Sequence, residues 1–145
     1  MQLKCLIIAG IFICGTAMHS IASVDSEAVK ARTKAMSEIS DNMRVLGLML
    51  KGQSDFDLVI AKSAIQNIEK LAARTPALFK VEAVDPHAEA KPEIWSNYED
   101  FVDKALTLQT VAIDVGGSLV DEDGLRGVIM SLGKTCKSCH SLYRN

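Results

Sequence analysis

The sequence has few aromatic residues, almost no excess of one charge and only one long apolar run. Aromatic residues make up 5% of the 145 residues, with a single Trp, which is few for a domain that fills its core with side chains alone. Lys and Arg number 16 against 18 Asp and Glu, so we expect no nucleic-acid partner. Apolar residues at 48% exclude a disordered chain, and the length predicts one domain.

The one long apolar run, residues 5–18, lies at the N-terminus and is typical of an export signal. Lys4 supplies a positive charge before it, and Ser20-Ile21-Ala22 offers small residues at a cleavage site. The alternative, a transmembrane anchor, needs about 20 apolar residues, and the run is shorter. We therefore predict a cleaved secretory signal peptide over residues 1–22, a mature domain over residues 23–145, and no membrane association after cleavage.

Cleavage at this site changes the set of residues that can bind a cofactor. Removing 22 of the 145 residues leaves 123, and the loss of Lys4 moves the net charge from −2 to −3. Two of the four cysteines leave with the signal, so Cys136 and Cys139 remain. The mature histidines are His87 and His140.

Apolar residues recur at spacings of three and four in four segments, which predicts four amphipathic helices. The first three span about 26–51, 57–74 and 92–115, and the fourth follows an acidic run at 121–123. Their inner faces are predicted to carry Val29, Arg32, Met36, Ile39, Met43, Leu46 and Leu50, then Ala61, Ile65, Ile68 and Ala72, then Ile94, Tyr98, Phe101, Ala105, Leu108 and Ala112, and finally Leu125, Val128, Ile129, Leu132, Cys136, Cys139 and Tyr143.

The ends of these helices have residues that suit them. Gly52 suits the end of the first helix, and Asp55 or Asp57 can cap the second. Pro92 suits the first turn of the third helix, and Gly116-Gly117 is expected to stop it. A long connection, residues 75–91, separates the second and third helices. The fold class is therefore predicted to be all-α, an antiparallel up-and-down four-helix bundle.

The predicted last helix contains Cys136-Lys137-Ser138-Cys139-His140, which has the C-x-x-C-H pattern of a c-type haem attachment site. The sequence therefore predicts a bundle with a covalently bound haem. A helix places Cys136 and Cys139 on one face, where two thioethers can form with one macrocycle. His140 presents an imidazole to the iron as the fifth ligand. We expect one covalently bound haem c per chain.

Three other interpretations of the cysteine pair are weaker. A disulfide between residues three apart in a regular helix has poor geometry and closes a very small loop. A thioredoxin-like pair belongs at the start of a helix that follows a strand, whereas Cys136 and Cys139 lie near the end of the last helix. A zinc site lacks ligands, because only His87 or a carboxylate could complete Cys136, Cys139 and His140.

An exported all-α chain with a single C-x-x-C-H near its C-terminus resembles the class II c-type cytochromes, the cytochrome c′ family. Matching stretches are Arg32-x-x-x-Met36, Lys51-Gly52-Gln53, residues 92–96 and residues 136–144. They extend over nearly the whole mature chain. The resemblance implies a periplasmic haem protein that serves either electron transfer or binding of diatomic gases.

The sixth iron ligand decides between these two functions, because a filled position favours electron transfer and an open one favours gas binding. Among the residues, His87, Met36 and Met43 are candidates, and both methionines could equally be core residues. Members of the family that are similar to this chain place the distal residue four after the arginine of the first helix. That residue is Met36, so the resemblance implies axial ligation by His140 and Met36 and membership of the low-spin branch typified by cytochrome c-556.

Two arginines are further candidates for contact with the cofactor. Arg32 lies one turn before Met36 on an apolar face, where a guanidinium needs an acceptor, and the resemblance assigns it a haem propionate. Its alternative is an arginine whose charged end reaches solvent. Arg144 lies four residues after His140 and is expected near this ligand, with an exposed cation at a helix end as the alternative. Trp95 and Tyr98 are expected in the core or against the haem.

The leading hypothesis is therefore a one-electron carrier of the periplasm that exchanges electrons with redox partner proteins. The alternative is a five-coordinate, high-spin cytochrome c′ that binds NO or CO, in which Met36 is a steric gate. The sequence does not decide between a monomer and a homodimer. The sequence offers no acid–base pair or nucleophile for work on an organic substrate, so no enzymatic activity is expected.

Overall fold

The structure is a computed structural model that describes residues 19–83 and 89–145, with side chains from residue 27 onward. The described part contains five helices: α1 (His19–Leu50), α2 (Leu58–Leu78), the short α3 (Glu93–Ser96), α4 (Tyr98–Ser118) and α5 (Leu125–Tyr143). Within these residues, none of the helices combines the length and the apolar character needed to cross a membrane. The predicted signal cleavage site, residues 20–22, lies in the first turn of α1, where the structure describes the backbone alone. His87 lies outside the described residues.

The four long helices form a ring that encloses the core. α1 packs beside α2, α2 beside α4, α4 beside α5 and α5 beside α1, and the diagonal pairs do not meet within the described residues. Neighbouring helices run in opposite directions. Arg32 in the first half of α1 contacts Leu78 at the end of α2, and Tyr98 at the start of α4 contacts Pro76 near that same end. Asp100 near the start of α4 contacts Tyr143 at the end of α5. The predicted antiparallel four-helix bundle is confirmed.

Local sequence explains how α1 ends and α2 begins. Gly52 lies two residues after the end of α1 and has a φ of 63°, a left-handed conformation that glycine adopts without steric cost. The Asp57 carboxylate accepts hydrogen bonds from the backbone N–H groups of Val59 and Ile60 at 2.8 and 2.9 Å. Asp57 is thus the N-cap of α2, as one of the two predicted alternatives.

The second helix extends past its predicted end at residue 74, and Pro76 lies inside it rather than in the following connection. Proline removes a helical hydrogen bond, but the last carbonyls of α2 find donors elsewhere. Tyr98 donates to the Pro76 carbonyl at 2.6 Å, and Arg32 donates to the Leu78 carbonyl at 2.9 Å. These distant donors stabilise a turn that local propensity alone disfavours.

The third predicted helix is divided in two, and its glycines do not stop it. The break is at Asn97, whose φ of −129° leaves the helical region and whose side chain donates to the Glu93 carbonyl. Gly116 and Gly117 lie within α4, which continues to Ser118. A Cβ on Gly116 would lie 3.2 Å from Cγ2 of Ile65, so this glycine permits α2 and α4 to pack closely.

The interior has two parts. The main core lies between the four long helices and includes Leu46, Ile65, Ile68, Leu125 and Leu132. A smaller aromatic cluster lies at the end of the bundle where α2 and α5 finish, and is formed by Phe79, Ile94, Phe101 and Tyr143 with Trp95 and Tyr98 at its margin. Five of the seven aromatic side chains of the chain are therefore at this end.

Candidate haem site

The C-x-x-C-H residues lie in the last two turns of α5, at the aromatic end of the bundle. Cys136 and Cys139 are both half-buried and neither forms a disulfide. They are one helical turn apart in a regular helix, so both sulfurs are on the side of α5 that faces inward. Cys139 packs against the aromatic cluster.

The two thiols are protonated when nothing is bound to them. Burial raises the pKa of Cys139 to about 11, and burial also raises the pKa of Cys136. Both thiols are therefore neutral at physiological pH. The described residues contain no group of three or more His, Cys, Asp or Glu side chains arranged to bind a metal ion.

His140 is kept neutral and therefore able to bind iron through a ring nitrogen. Partial burial of its ring lowers the pKa of His140, and the positive charge of Arg144 lowers it further, while Glu89 acts in the opposite direction. Arg144 is not merely an exposed cation at the helix end, because it forms an ion pair with Glu89, whose carboxylate accepts from its Nε at 2.6 Å.

The Glu89–Arg144 pair is part of a longer connection that sequence reasoning missed. Ala90 and Arg144 form an isolated antiparallel bridge. The Lys91 N–H donates to the Tyr143 carbonyl at 3.0 Å, and the Asn145 N–H donates to the Glu89 carbonyl at 2.8 Å. The segment before α3 therefore binds the end of α5 beside His140. No local pattern indicates a contact between residues 55 positions apart.

A second missed contact fixes the same end of α5 to α4. The Tyr143 hydroxyl donates to the Asp100 carboxylate at 2.6 Å, and Lys104 lies 3.4 Å from the other oxygen of Asp100. The Tyr143 ring also packs edge-on against Phe101, with the ring centroids 5.6 Å apart. These contacts position the turn of α5 that carries Cys139 and His140.

Met36 lies at the junction of the two parts of the interior. It is half-buried on α1 and packs against both the main core and the aromatic cluster. The structure thus brings Met36 and Cys139 to the same cluster, although they are more than 100 residues apart in sequence. Met43, two turns further along α1, packs against the main core only.

Arg32 is buried, with 4% of its surface exposed, so the alternative of a charged end in solvent is wrong. Its guanidinium donates to the carbonyls of Leu78 at 2.9 Å and Ala83 at 3.0 Å, and also to that of Val81. Its Cζ lies 4.8 Å from the centre of the Phe79 ring and 5.3 Å from that of Trp95. Backbone carbonyls therefore supply acceptors that the sequence could not identify.

Trp95 and Tyr98 belong to the margin of the aromatic cluster, and each donates a hydrogen bond to a backbone carbonyl at or just after the end of α2. The Trp95 Nε1–H donates to the Phe79 carbonyl at 2.9 Å, as Tyr98 does to that of Pro76 at 2.6 Å. Their hydrogen bonds and those of Arg32 fix the end of α2 and the residues after it from three different elements, α3, α4 and α1.

The residues present fit a covalently attached haem. The donor set is two neutral thiols that are not in a disulfide and one neutral imidazole. α1 and α5 have the sparsest contact of the four neighbouring pairs of long helices. On these two helices Met36, Met43, Ile129 and both cysteines stay half-exposed, which is the surface that a flat apolar group between the helices would cover.

The chain matches the family model described as Cytochrome C′ over residues 27–144. This match includes all five helices apart from the first residues of α1.

The chain belongs to the cytochrome c′ family.

Similar proteins within this family carry both of its common names. Cytochrome c-556 of Agrobacterium fabrum is 33% identical over 147 aligned positions, which cover 99% of this chain and 97% of the relative. The structure of oxidised cytochrome c556 from Rhodopseudomonas palustris has a TM-score of 0.75 and 26% identity, covering 83% of this chain and 97% of that one. A ferrous variant of cytochrome c′ from Alcaligenes xylosoxidans with bound NO has a TM-score of 0.73 and 27% identity, covering 83% and 95%.

Membership of the cytochrome c′ family establishes the cofactor class and the fold. The chain is a c-type haem protein built on a helical bundle. Cys136 and Cys139 stand in the C-x-x-C-H position of such a protein.

The bonds of Arg32 lead to a first prediction. Arg32→Lys should lower the free energy of unfolding by about 3 kcal/mol, because one ammonium group cannot donate to three carbonyls and also lie flat between two rings. Denaturant unfolding of the holoprotein measures this. Arg74→Lys, at an exposed position on α2, is the control and should change stability by less than about 0.5 kcal/mol. Equal small losses in both variants would contradict the role given to Arg32.

The Tyr143–Asp100 bond leads to a second prediction. This hydrogen bond raises the pKa of Tyr143 to about 12, so its stabilising contribution is present below the ordinary tyrosine pKa of about 10 and is lost as the pH rises through 12. In a Tyr98→Phe background, the tyrosinate absorbance should report Tyr143 alone. Adding Asp100→Asn should move the midpoint down toward about 10, whereas Asp103→Asn on the same helix should not. A midpoint that both changes leave in place would refute the assignment.

Proposed function

We propose that this chain is an exported, periplasmic cytochrome that carries one electron at a covalently attached haem, with His140 and Met36 as axial ligands. The observation that carries the proposal is the position of Met36, half-buried at the junction of the main core and the aromatic cluster that also contains Cys139. Met and His together favour an electron-transfer haem. The chain would exchange electrons with redox partner proteins.

The chain's own residues divide the work as follows. Cys136 and Cys139 attach the haem, whose iron supplies the ferric–ferrous couple when bound. His140 binds the iron in its neutral form, which partial burial and Arg144 favour. Met36 offers a thioether from α1, so that the iron would have a protein ligand on each face and no open site for other molecules.

Arg32 and Arg144 are assigned secondary roles at the cofactor. Arg32 is assigned to a haem propionate, which is an anionic acceptor suited to a guanidinium. Arg144 places a positive charge close to His140. Such a charge disfavours the oxidised, more positive state of a nearby haem and would raise its reduction potential.

The alternative function is binding of a diatomic gas by a five-coordinate haem, and one observation favours it. A similar cytochrome c′ from Alcaligenes xylosoxidans is known in a form with bound NO. In this alternative Met36 packs over the iron without binding it and restricts access. The similar proteins named cytochrome c-556 do not decide between the two, since their names state no ligand.

Met36→Ala separates the two functions. If Met36 binds the iron, the wild-type protein is low-spin and resists carbon monoxide, and the variant becomes high-spin, binds carbon monoxide and has a lower reduction potential. Absorption spectra of the oxidised and reduced holoprotein, with and without carbon monoxide, measure this. Met43→Ala is the matched control on the same helix and should leave the spectra unchanged. A wild-type ferrous protein that binds carbon monoxide readily, with a spectrum that Met36→Ala leaves unaltered, would establish the alternative.

Export and haem attachment can be tested together. We expect the exported protein to begin at Ser23, and its haem to stay with the polypeptide after denaturation because thioether bonds are covalent. The mass of the denatured chain and a haem stain measure both. The double variant Cys136→Ala/Cys139→Ala should lose the haem. Cys14→Ala should retain it, because Cys14 is removed with the signal peptide. Haem that leaves the denatured wild-type chain would refute attachment.

A further inference from the structure

The charges of the chain are distributed unevenly, although their sum is small. α5 carries Arg126, Lys134 and Lys137 and has no Asp or Glu among its 19 residues. Because the whole chain has a net charge of −2, the residues outside α5 together carry −5. The helix that bears the C-x-x-C-H residues is therefore a positive segment of a chain with a negative net charge. α2 is the other positive helix, with Lys62, Lys70 and Arg74 against Glu69.

Neighbouring charges neutralise one end of α5 and not the other. Arg126 lies three residues after the acidic run Asp121-Glu122-Asp123. Lys134 and Lys137 are exposed, and neither forms an ion pair with any residue that the structure describes. On α1, by contrast, Lys30, Lys34 and Arg44 each pair with a carboxylate of the same helix. The unneutralised charge is thus at the end of α5 near the cysteines.

These lysines share one side of α5 with exposed apolar residues. At 100° per residue, one face of the helix carries Met130, Lys134, Lys137, Ser138, Ser141 and Leu142, and we call this the cationic face. Met130 is 68% exposed and Leu142 is 50% exposed. Met130 and Leu142 therefore add apolar contact area at the two ends of a face whose middle is cationic.

The cationic face is close to the cofactor position. Cys136 and Cys139 lie on the opposite, inward side of the same helix turns, and a helix with its side chains is about 10–12 Å across. A partner bound to this face would therefore be separated from the attached group by one helix. Electron transfer requires such a short distance.

We propose that the cationic face is the docking surface for an acidic redox partner protein. The proposal rests on the electron-transfer function proposed above. Charge complementarity identifies the partner, because Lys134 and Lys137 attract a carboxylate-rich surface. The excess of carboxylates on α4 repels such a surface from that helix. The attraction therefore orients the encounter as well as strengthening it.

A gold electrode coated with a carboxylate-terminated monolayer serves as a probe of this surface. The wild-type holoprotein should adsorb at an ionic strength of about 0.01 M and show a reversible voltammetric wave. The wave should disappear at about 0.15 M, where the Debye length falls from about 30 Å to about 8 Å. Lys134→Glu/Lys137→Glu should reduce the adsorbed signal by about tenfold.

The control is Lys51→Glu/Lys70→Glu, which changes the net charge by the same amount at exposed positions away from α5. It should retain the wild-type signal. Equal losses in both double variants would show that only net charge matters, and a wild-type protein that does not adsorb would likewise overturn the proposal. Unfolding curves establish that the variants are folded. The spectra of Met36→Ala test the electron-transfer function separately, because adsorption does not depend on the sixth ligand.

Discussion

The arrangement of the bundle end that contains the aromatic cluster depends on the contacts of the buried Arg32 guanidinium. It joins α1 to the carbonyls of residues 78, 81 and 83, and it lies between the rings of Phe79 and Trp95. Burying a cation without acceptors would cost several kcal/mol, so the chain after α2 must follow the path that supplies these carbonyls. Met36, one turn further along α1, is positioned by the same helix. The position of Met36 is thus coupled through α1 to the end of α2.

The end of α5 that carries His140 is fixed by different contacts, which come from the connection between α2 and α3. After residue 83 the chain returns at Glu89, which pairs with Arg144, and Lys91 bonds to the Tyr143 carbonyl. The connection between α2 and α3 therefore contacts α1 near Met36 and α5 near His140. One segment thereby relates the two helices that carry the proposed axial ligands, although these helices have little direct contact.

Sequence patterns predicted the parts of this structure that local rules determine. The inner faces of the helices follow from a repeat of 3.6 residues, the Asp57 cap from its short carboxylate, and the C-x-x-C-H position from five adjacent residues. The predictions at Pro76 and Asn97 were wrong because side-chain hydrogen bonds to the backbone outweighed local propensity. Tyr98 donates to the Pro76 carbonyl, and the Asn97 side chain donates to the Glu93 carbonyl. Glu89 and Asp100 were missed because each meets its partner 43 or more residues away. The helix pattern carries no information about such contacts.

The scarcity of aromatic residues and of net charge has a common explanation in where these residues are placed. Five of the seven aromatic side chains lie in the cluster that also contains Cys139. The main core therefore consists mostly of aliphatic side chains. The net charge is small, but positive and negative residues are unevenly distributed over the surface, because all Asp and Glu residues lie outside α5. A small net charge therefore does not imply a weak field at the surface. Close to α5 a partner experiences the nearby lysines more strongly than the distant carboxylates, since screening limits each charge to about one Debye length.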